Sequence, residues 1–217
     1  MNKRVIIWDW NGTLLNDISI SIDAMNEMLG RRGLELLDLC RYRQIFGFPV
    51  KDYYQKLGFD FSIEDFEVPA MEFIKGYSER LKEAVLFDDV KETLSLLKAQ
   101  GIRHFILSAM EQEALNECVL NLGIQQYFEK IYGLGDHYAH GKSDIALEMM
   151  CNEKFNRDEC VLVGDTLHDL EIAGLLKIDC ILVSRGHQEK KRLREKHHHM
   201  KDDIKRLFEP NNFVDLA

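Results

Sequence analysis

No stretch of this chain of 217 residues approaches the run of about 18 apolar residues that a membrane-spanning helix needs. The start is equally poor in signal-peptide character. Met1-Asn2-Lys3-Arg4 is followed only by the short apolar run Val5–Trp8, too brief for a secretory core. Cationic surplus is missing as well: 28 Lys and Arg stand against 37 Asp and Glu, a formal charge of −9. A phosphate backbone requires a basic face, so nucleic acid is excluded as the main partner. The five cysteines, Cys40, Cys118, Cys151, Cys160 and Cys180, are scattered and contain no CxxC pair. Neither a zinc site nor a disulfide framework is indicated, and they read as small buried hydrophobes in a reducing compartment. Together these absences describe a cytoplasmic globular protein without nucleic-acid or membrane partners. Nothing in them speaks to oligomeric state.

What is present is a set of short apolar runs: Val5–Trp8, His104–Ser108, Lys130–Leu134, Cys160–Gly164 and Cys180–Ser184. Each is about five residues long with little alternation, as strands covered on both faces of a parallel sheet read. Amphipathic stretches of helical period lie between the later runs: Val90–Gln100, Glu111–Leu122, Ser143–Glu153 and Leu167–Leu176, the first two ending at Gly101 and Gly123. Strand alternating with helix predicts an α/β fold, a Rossmann-like parallel sheet flanked by helices. The segment from Asn16 to Lys82 breaks the alternation. Ile18–Arg32, Asp38–Ile45, Val50–Leu57, Ile63–Phe66 and Pro69–Ala84 all carry helical periodicity, with no convincing strand among them. That is more chain than one crossover needs. It predicts a helical cap domain over residues 16–82, inserted into a core domain made of residues 1–15 and 83–217. The basic tail from Gln188 to Lys201 reads as a solvated helical face. The consecutive histidines 197–199 cannot share one face of a helix, so they do not form a single metal site.

In a parallel sheet the C-terminal strand ends share one edge, where ligands of open α/β folds bind. Polar residues stand at those ends: Asp9 after the first run, Ser108 after the second and Asp165 after the fourth. Asp169 falls on the opening turn of the helix after Asp165, and Lys142 opens the preceding helix. Each has an ordinary alternative, since a strand-terminal Asp often caps a helix, Ser108 could cap Glu111–Leu122, and Lys142 could be a surface lysine. Converging on one crevice, however, three carboxylates, a hydroxyl and an ammonium suit a Mg²⁺ ion and a phosphoryl group. Mg²⁺ takes hard oxygen ligands, typically one or two carboxylates plus phosphate and water. Lys142 would offset phosphoryl charge and Ser108 would hydrogen-bond a phosphoryl oxygen. Asp9 would be the nucleophile, forming an aspartyl-phosphate that water hydrolyses.

Asp9-Trp-Asn-Gly-Thr13, Phe105-Ile-Leu-Ser108, Gly141-Lys142 and Val163-Gly-Asp-Thr-Leu-His-Asp169, in this order, resemble the four motifs of the haloacid-dehalogenase-like hydrolases. The resemblance covers nearly the whole chain. Leu86–Leu94 through Gly101-Ile102 is similar to the segment that re-enters the core in the phosphoglycolate-phosphatase-like branch, which carries an α-helical C1-type cap. Phe46-Gly-Phe-Pro49 with Tyr53 and Leu57-Gly58 is similar to that branch's cap loop. The resemblance implies Asp9 as nucleophile and metal ligand, with the backbone carbonyl of Asn11, Asp165 and Asp169 completing the protein's metal set. It implies Ser108 and Lys142 on the phosphoryl group, and backbone N–H groups near Trp10 and Ala109 on its oxygens. The implied activity is Mg²⁺-dependent hydrolysis of small phosphorylated metabolites. Trp8 and Trp10 read as core and crevice-wall residues.

Three departures from the family pattern follow. Its phosphatases usually carry Asp two residues after the nucleophile, to protonate the leaving alcohol and then activate water; here the residue is Asn11. An amide cannot transfer a proton, and such help is typically worth about 10²–10⁴-fold, so slow turnover is expected. His168 and His137 are the nearest titratable groups, each more readily taken as a surface or supporting residue. Ser-Asp-Ile follows Lys142 without the usual proline, a change expected to matter little. Lys177 stands where glycine is common, so the helix after Asp169 is expected to end differently. Two other functions stay open: phosphonoacetaldehyde-hydrolase-like C–P cleavage using a cap lysine such as Lys51 or Lys56, and a phosphate-binding relative without turnover. Dehalogenation fits less well, because the Asp165/Asp169 pair suggests a metal. Among cap residues, Arg43, Phe48, Lys51 and Tyr53 are candidates to face the crevice.

Overall fold

The computed structural model describes residues 3–135, 141–205 and 207. Six parallel strands form the main sheet, in the order β5-β4-β1-β6-β7-β8. They are β1 (Val5–Trp8), β4 (Arg103–Glu111), β5 (Lys130–Leu134), β6 (Cys160–Gly164), β7 (Asp179–Val183) and β8 (Met200–Lys201). β1 lies centrally between β4 and β6, with Ile7 opposite Phe105 on one side and Leu162 on the other. Its residues alternate between two apolar layers, which explains why the run shows no alternation in sequence. Ile6 and Trp8 pack with Val90, Leu94, Leu115 and Val119 from α5 (Val90–Ala99) and α6 (Gln112–Asn121). Val5 and Ile7 pack with Ile145, Met149, Ile172 and Leu176 from α7 (Lys142–Glu153) and α8 (Leu167–Leu176).

The chain leaves the sheet through β2 (Leu15–Asn16) and returns through β3 (Val85–Leu86), which pair antiparallel with Leu15 opposite Leu86. Between them run α1 (Ile18–Arg31), α2 (Leu39–Ile45), α3 (Val50–Leu57) and α4 (Glu67–Arg80). These helices gather an apolar cluster of their own, with Met25, Leu29, Tyr54 and Phe59 at its centre. The expected helix at Ile63–Phe66 is instead a run of turns. There Asp60 Oδ1 accepts from the backbone N–H and the hydroxyl of Ser62, at 2.9 and 2.6 Å, and this local bonding competes with a helix.

Two further expectations are corrected. The Gln188–Lys201 tail is not a solvated helical face: α9 covers only Lys190–Arg194, and the chain then returns to the sheet as β8. Leu193 is fully buried, His187 and Gln188 are buried, and His197 Nε2 bonds the Cys180 carbonyl at 2.9 Å. Lys177 does take the left-handed cap conformation, φ 56° and ψ 50°, so α8 ends as it would with glycine.

His104 exposes a condition on this core. It is buried, and its Nδ1 accepts from Trp8 Nε1 at 2.9 Å, so the ring is neutral with its proton on Nε2. Burial, reinforced by Lys98, lowers its pKa from 6.5 to about 4. The unfolded chain therefore binds the extra proton first. The stability from neutral His104, on the order of 3 kcal/mol, is present above pH 6.5 and lost as pH falls toward 4. Urea denaturation of wild type and His104→Gln across this window should show a steeper loss in wild type; parallel profiles would refute the assignment.

Candidate active site

β1, β4 and β6 release the chain at one edge, and β1 is where the strand order turns: β4 and β5 follow on one side, β6 and β7 on the other. Asp9 follows β1, Asp165 follows β6, and Asp169 lies in the first turn of α8. All three are buried, and one oxygen from each lies within 4.8 Å of the others. Lys142, the first residue of α7, sends its buried ammonium between Asp9 and Asp169, touching Asp9 Oδ1 and reaching Asp169 Oδ1 at 2.6 Å. Thr13 Oγ1 donates to Asp9 Oδ2 at 2.9 Å. Asp169 Oδ2 accepts from the N–H and hydroxyl of Thr166 at 3.0 and 2.8 Å. The backbone N–H of His187 donates to Asp165 Oδ2 at 2.5 Å.

The groups perturb one another as buried charges must. Burial, with Asp169 nearby, raises Asp9 to about 6 against the opposing pull of Lys142. Burial also lifts Asp165 well above the usual carboxylate range, although His187 opposes it. For Asp169, burial acts upward but the Lys142 ammonium and the Thr166 bonds outweigh it, so its pKa is lowered. Lys142 is raised: burial works against its charge, yet Asp169 and Asp9 prevail.

A second ionic group adjoins the first. Asp17 accepts from Gly12 N–H at 2.9 Å, Tyr77 hydroxyl at 2.8 Å and Asn11 Nδ2 at 3.0 Å, and pairs with His187 Nε2 at 3.3 Å. Burial acts to raise Asp17, but His187 outweighs it and lowers the carboxyl. Burial acts to lower His187, but Asp17 outweighs it and lifts the imidazole to about 9. His187 Nδ1 is bonded to Tyr42 hydroxyl at 2.7 Å. Asn11 thus points its amide away from Asp9, toward Asp17 and Tyr77 (2.8 Å).

The donor set fits a divalent cation. Asp17 and His187 offset each other, whereas the cluster of Asp9, Asp165 and Asp169 holds a single lysine ammonium among three carboxyl groups, and an added cation would favour the ionised form of all three. The oxygens are hard ligands of the kind Mg²⁺ takes. Asp165 is packed so closely that a methyl group on Gly12 or Gly186 would overlap its carboxylate; Gly12 also needs its φ of 72° to turn the chain. The Asn11 carbonyl and the N–H groups of Trp10 and Asn11 have no hydrogen-bond partner among the described residues.

A cavity of about 500 Å³ opens over these residues. Asp9, Asn11, Lys142, Asp165, Asp169 and Ala109 all line it. Trp10 is fully buried in the core behind it. Ser108 is also fully buried, short of the lining, with its Oγ accepting from Met110 N–H at 3.0 Å. It does not cap α6: β4 runs on past it to Glu111, whose carboxylate accepts from Glu113 and Ala114 N–H at 2.9 and 2.8 Å. Of the other candidates, Phe48 and His168 line the cavity with their rings tilted by 31° and centroids 4.7 Å apart, and His168 Nδ1 lies 3.3 Å from Glu171. Arg43 is engaged with the carbonyls of Gly186 and Arg185 at 2.8 and 2.5 Å. Lys51 lies over the Phe61 and Phe66 rings, and Tyr53 is buried among aromatics. His137 lies outside the described residues.

The sequence reading overlooked Asp17, His187, Thr13, Tyr42 and Tyr77. His187 was within reach of the rule that found Asp165, because it lies just beyond the C-terminal end of β7. The tyrosines come from α2 and α4, and only the packing of those helices brings them here.

A parallel α/β sheet with carboxylates and a lysine gathered at its switch point has the place and shape of an open α/β ligand site. Residues 6–183 match the family model for haloacid dehalogenase-like hydrolase, and the chain belongs to that family. It is 26% identical over 197 residues to a 5'-nucleotidase of Pseudomonas aeruginosa, covering 87% of this chain and 86% of that protein. It is 27% identical over 195 residues to a phosphoglycolate phosphatase of Colwellia psychrerythraea, covering 85% and 86%. The fold is shared with a haloacid dehalogenase-like family hydrolase from Streptococcus pneumoniae, with a TM-score of 0.79, 20% identity and 93% and 95% coverage.

The Asn11–Asp17 contact carries a stability prediction. An Asp at position 11 would set a second carboxylate 3.0 Å from the first, at a place where an amide now donates. Asn11→Asp should lower stability by about 1–3 kcal/mol. In a double-mutant cycle with Asp17→Asn, the pair should be more stable than the two single losses added together. Simple additivity in urea melts would sink this.

Proposed function

We propose that the protein is a Mg²⁺-dependent phosphatase of small phosphorylated metabolites, with residues 16–82 acting as a cap over a core of residues 1–15 and 83–217. The observation that carries this reading is the Asp9 carboxylate, held by Lys142 and Thr13 at the floor of a cavity, within one cluster with Asp165 and Asp169. Asp9 attacks phosphorus, its oxygen forms the new P–O bond, and the ester P–O bond breaks, so the alcohol departs as its oxyanion and takes its proton from water. Water then cleaves the aspartyl-phosphate, restoring the carboxylate and releasing phosphate. Lys142 balances charge on the phosphoryl oxygens, and the free N–H groups of Trp10 and Asn11 serve as further donors. Ser108 acts from beneath through its bond to Met110 N–H, and Ala109 forms part of the wall. Asp9, Asp165, Asp169 and the Asn11 carbonyl would hold Mg²⁺, which supplies Lewis-acid shielding of phosphoryl charge.

Asn11 does not carry a proton, and its amide is already committed to Asp17 and Tyr77. The alcohol therefore leaves without a carboxylic acid beside it, and rates should depend strongly on leaving-group pKa. The names of the relatives, a 5'-nucleotidase and a phosphoglycolate phosphatase, support phosphate-ester hydrolysis. Carbon–phosphorus cleavage through a cap lysine is less well supported, because Lys51 lies on aromatic rings and Lys142 is the one lysine lining the cavity among the described residues.

Hydrolysis of p-nitrophenyl phosphate should require Mg²⁺, stop with EDTA and fall by at least about 10³-fold in Asp9→Asn. Alkyl phosphates should be turned over far more slowly than aryl phosphates. Activity retained in Asp9→Asn would reject the mechanism. Borohydride inactivation with phosphonoacetaldehyde would point to C–P cleavage instead, and tight ester binding without turnover to a non-catalytic relative.

A further inference from the structure

Above the charged floor, the cavity changes character. Its upper wall is formed by Phe46, Phe48, Ile74, Leu81, Met110 and Leu134. Two aromatic surfaces flank the opening. Phe48, 43% exposed, faces His168, and Phe46 packs edge-on to Phe48 at 5.7 Å and against His187 at 5.3 Å. Among the described residues no arginine lines the space, and its basic side chains are Lys142, His168 and His187. Each already has a carboxylate partner: Lys142 in Asp9 and Asp169, His168 in Glu171, and His187 in Asp17.

The arginines of the neighbouring loops are also committed elsewhere. Arg43 bonds the Gly186 and Arg185 carbonyls, and Arg192 bonds the carbonyls of Arg43 and Phe46 at 3.0 and 2.7 Å. Arg185 pairs with Asp89 at 2.5 Å and lies over the Phe87 ring. Among the described residues, a substrate with a second anionic end would have to strip that end of water against a largely apolar wall, with no unmatched cation to receive it. A neutral ring gains from the same wall. A volume of about 500 Å³ also exceeds what a two-carbon acid would fill, and lies within the range of pockets for larger organic ligands.

The geometry points to a substrate class within the phosphatase reading, on which this inference rests: phosphate monoesters of neutral, ring-bearing alcohols, with discrimination against esters that carry a second acidic group. The phosphoryl group sits over Asp9, and the ring lies along the Phe46–Phe48 side. Phe48 is a specificity residue at the mouth and takes no part in the reaction.

Binding measured without turnover tests this separately from catalysis. In Asp9→Asn with Mg²⁺, calorimetry with phenyl phosphate, a nucleoside 5'-monophosphate, phosphoglycolate and inorganic phosphate should place both ring-bearing esters at least about tenfold tighter than phosphoglycolate. Adding Phe48→Ala should erode that margin while leaving inorganic phosphate unchanged. Leu81→Arg, which brings a guanidinium to the wall, should tighten phosphoglycolate selectively. Phosphoglycolate binding as tightly as the ring-bearing esters would overturn the inference, as would esters binding no better than inorganic phosphate. If wild type hydrolyses no ester and the binding order still holds, the hydrolase reading fails and the ring preference stands as a property of ligand binding alone. If hydrolysis holds without the order, only the ring preference fails.

Discussion

The structure depends on one buried ammonium. Lys142 lies between Asp9 and Asp169 with almost no solvent to share their charge. Without it, three carboxylates within 4.8 Å would repel one another inside a low-dielectric pocket. Its position follows from the fold. α7 begins at Lys142 and packs Ile145, Ala146 and Met149 against the face of the sheet that carries Val5 and Ile7. The same apolar seam that steadies the sheet therefore aims the lysine at the strand edge. Asp169 is fixed as tightly, because it both receives the lysine and accepts two hydrogen bonds from Thr166 at the start of α8. Packing and charge reinforce each other at this point, so the site is assembled before any ligand arrives.

The second ionic group gives the same logic a different purpose. Asp17 sits at the start of α1, where the chain has just left the sheet, and His187 follows β7. Tyr42 and Tyr77 reach the pair from α2 and α4. A contact network that begins beside the cluster of Asp9, Asp165 and Asp169 thus ends in the helical segment. Movement of those helices relative to the sheet would disturb the bonds to Asn11, Asp17 and His187 together. The apolar cluster around Met25, Leu29, Tyr54 and Phe59 lets the helices hold together as a unit while this polar seam joins them to the sheet.

Much of this was legible in the residues, for physical reasons that also mark the limit. Strands buried on both faces read as unbroken apolar runs, so β1 and β6 were placed with their observed bounds, as was the partly exposed edge strand β5. Polar residues that end such runs must face the common edge, so Asp9 and Asp165 were legible too. β8 is two residues long within a histidine-rich stretch and has no pattern of its own; tertiary pairing with β7 makes it a strand. Lys177 shows the same override: propensity argues against a left-handed lysine, but the turn from α8 into β7 requires one. Ser108 was read as the end of its strand, whereas a register shift between Leu107 and Glu111 carries β4 onward and tucks the hydroxyl beneath Met110. Such bulges depend on the neighbouring strand, and one chain segment does not reveal them.

Asn11 shows why a departure from pattern has to be read with its surroundings. In sequence it is only a missing acid. In the fold it is an amide that donates to one carboxylate and one hydroxyl, beside an Asp17 that is already paired with a histidine. An acid at position 11 and a charged Asp17 would compete for the same small space, and the side chain that yields is the one that can donate. The carboxylate at position 17 receives N–H and O–H donors from four residues, a setting that favours the ionised form over the protonated one. The neighbourhood is therefore organised to hold charge and to tie α2 and α4 to the sheet edge. A substrate whose alcohol leaves readily without a donated proton suits such a site, and aryl esters leave more readily than alkyl ones. The ring-lined upper cavity suits a ring-bearing ester and the proton-poor floor suits an aryl leaving group, and an aryl phosphate meets both conditions.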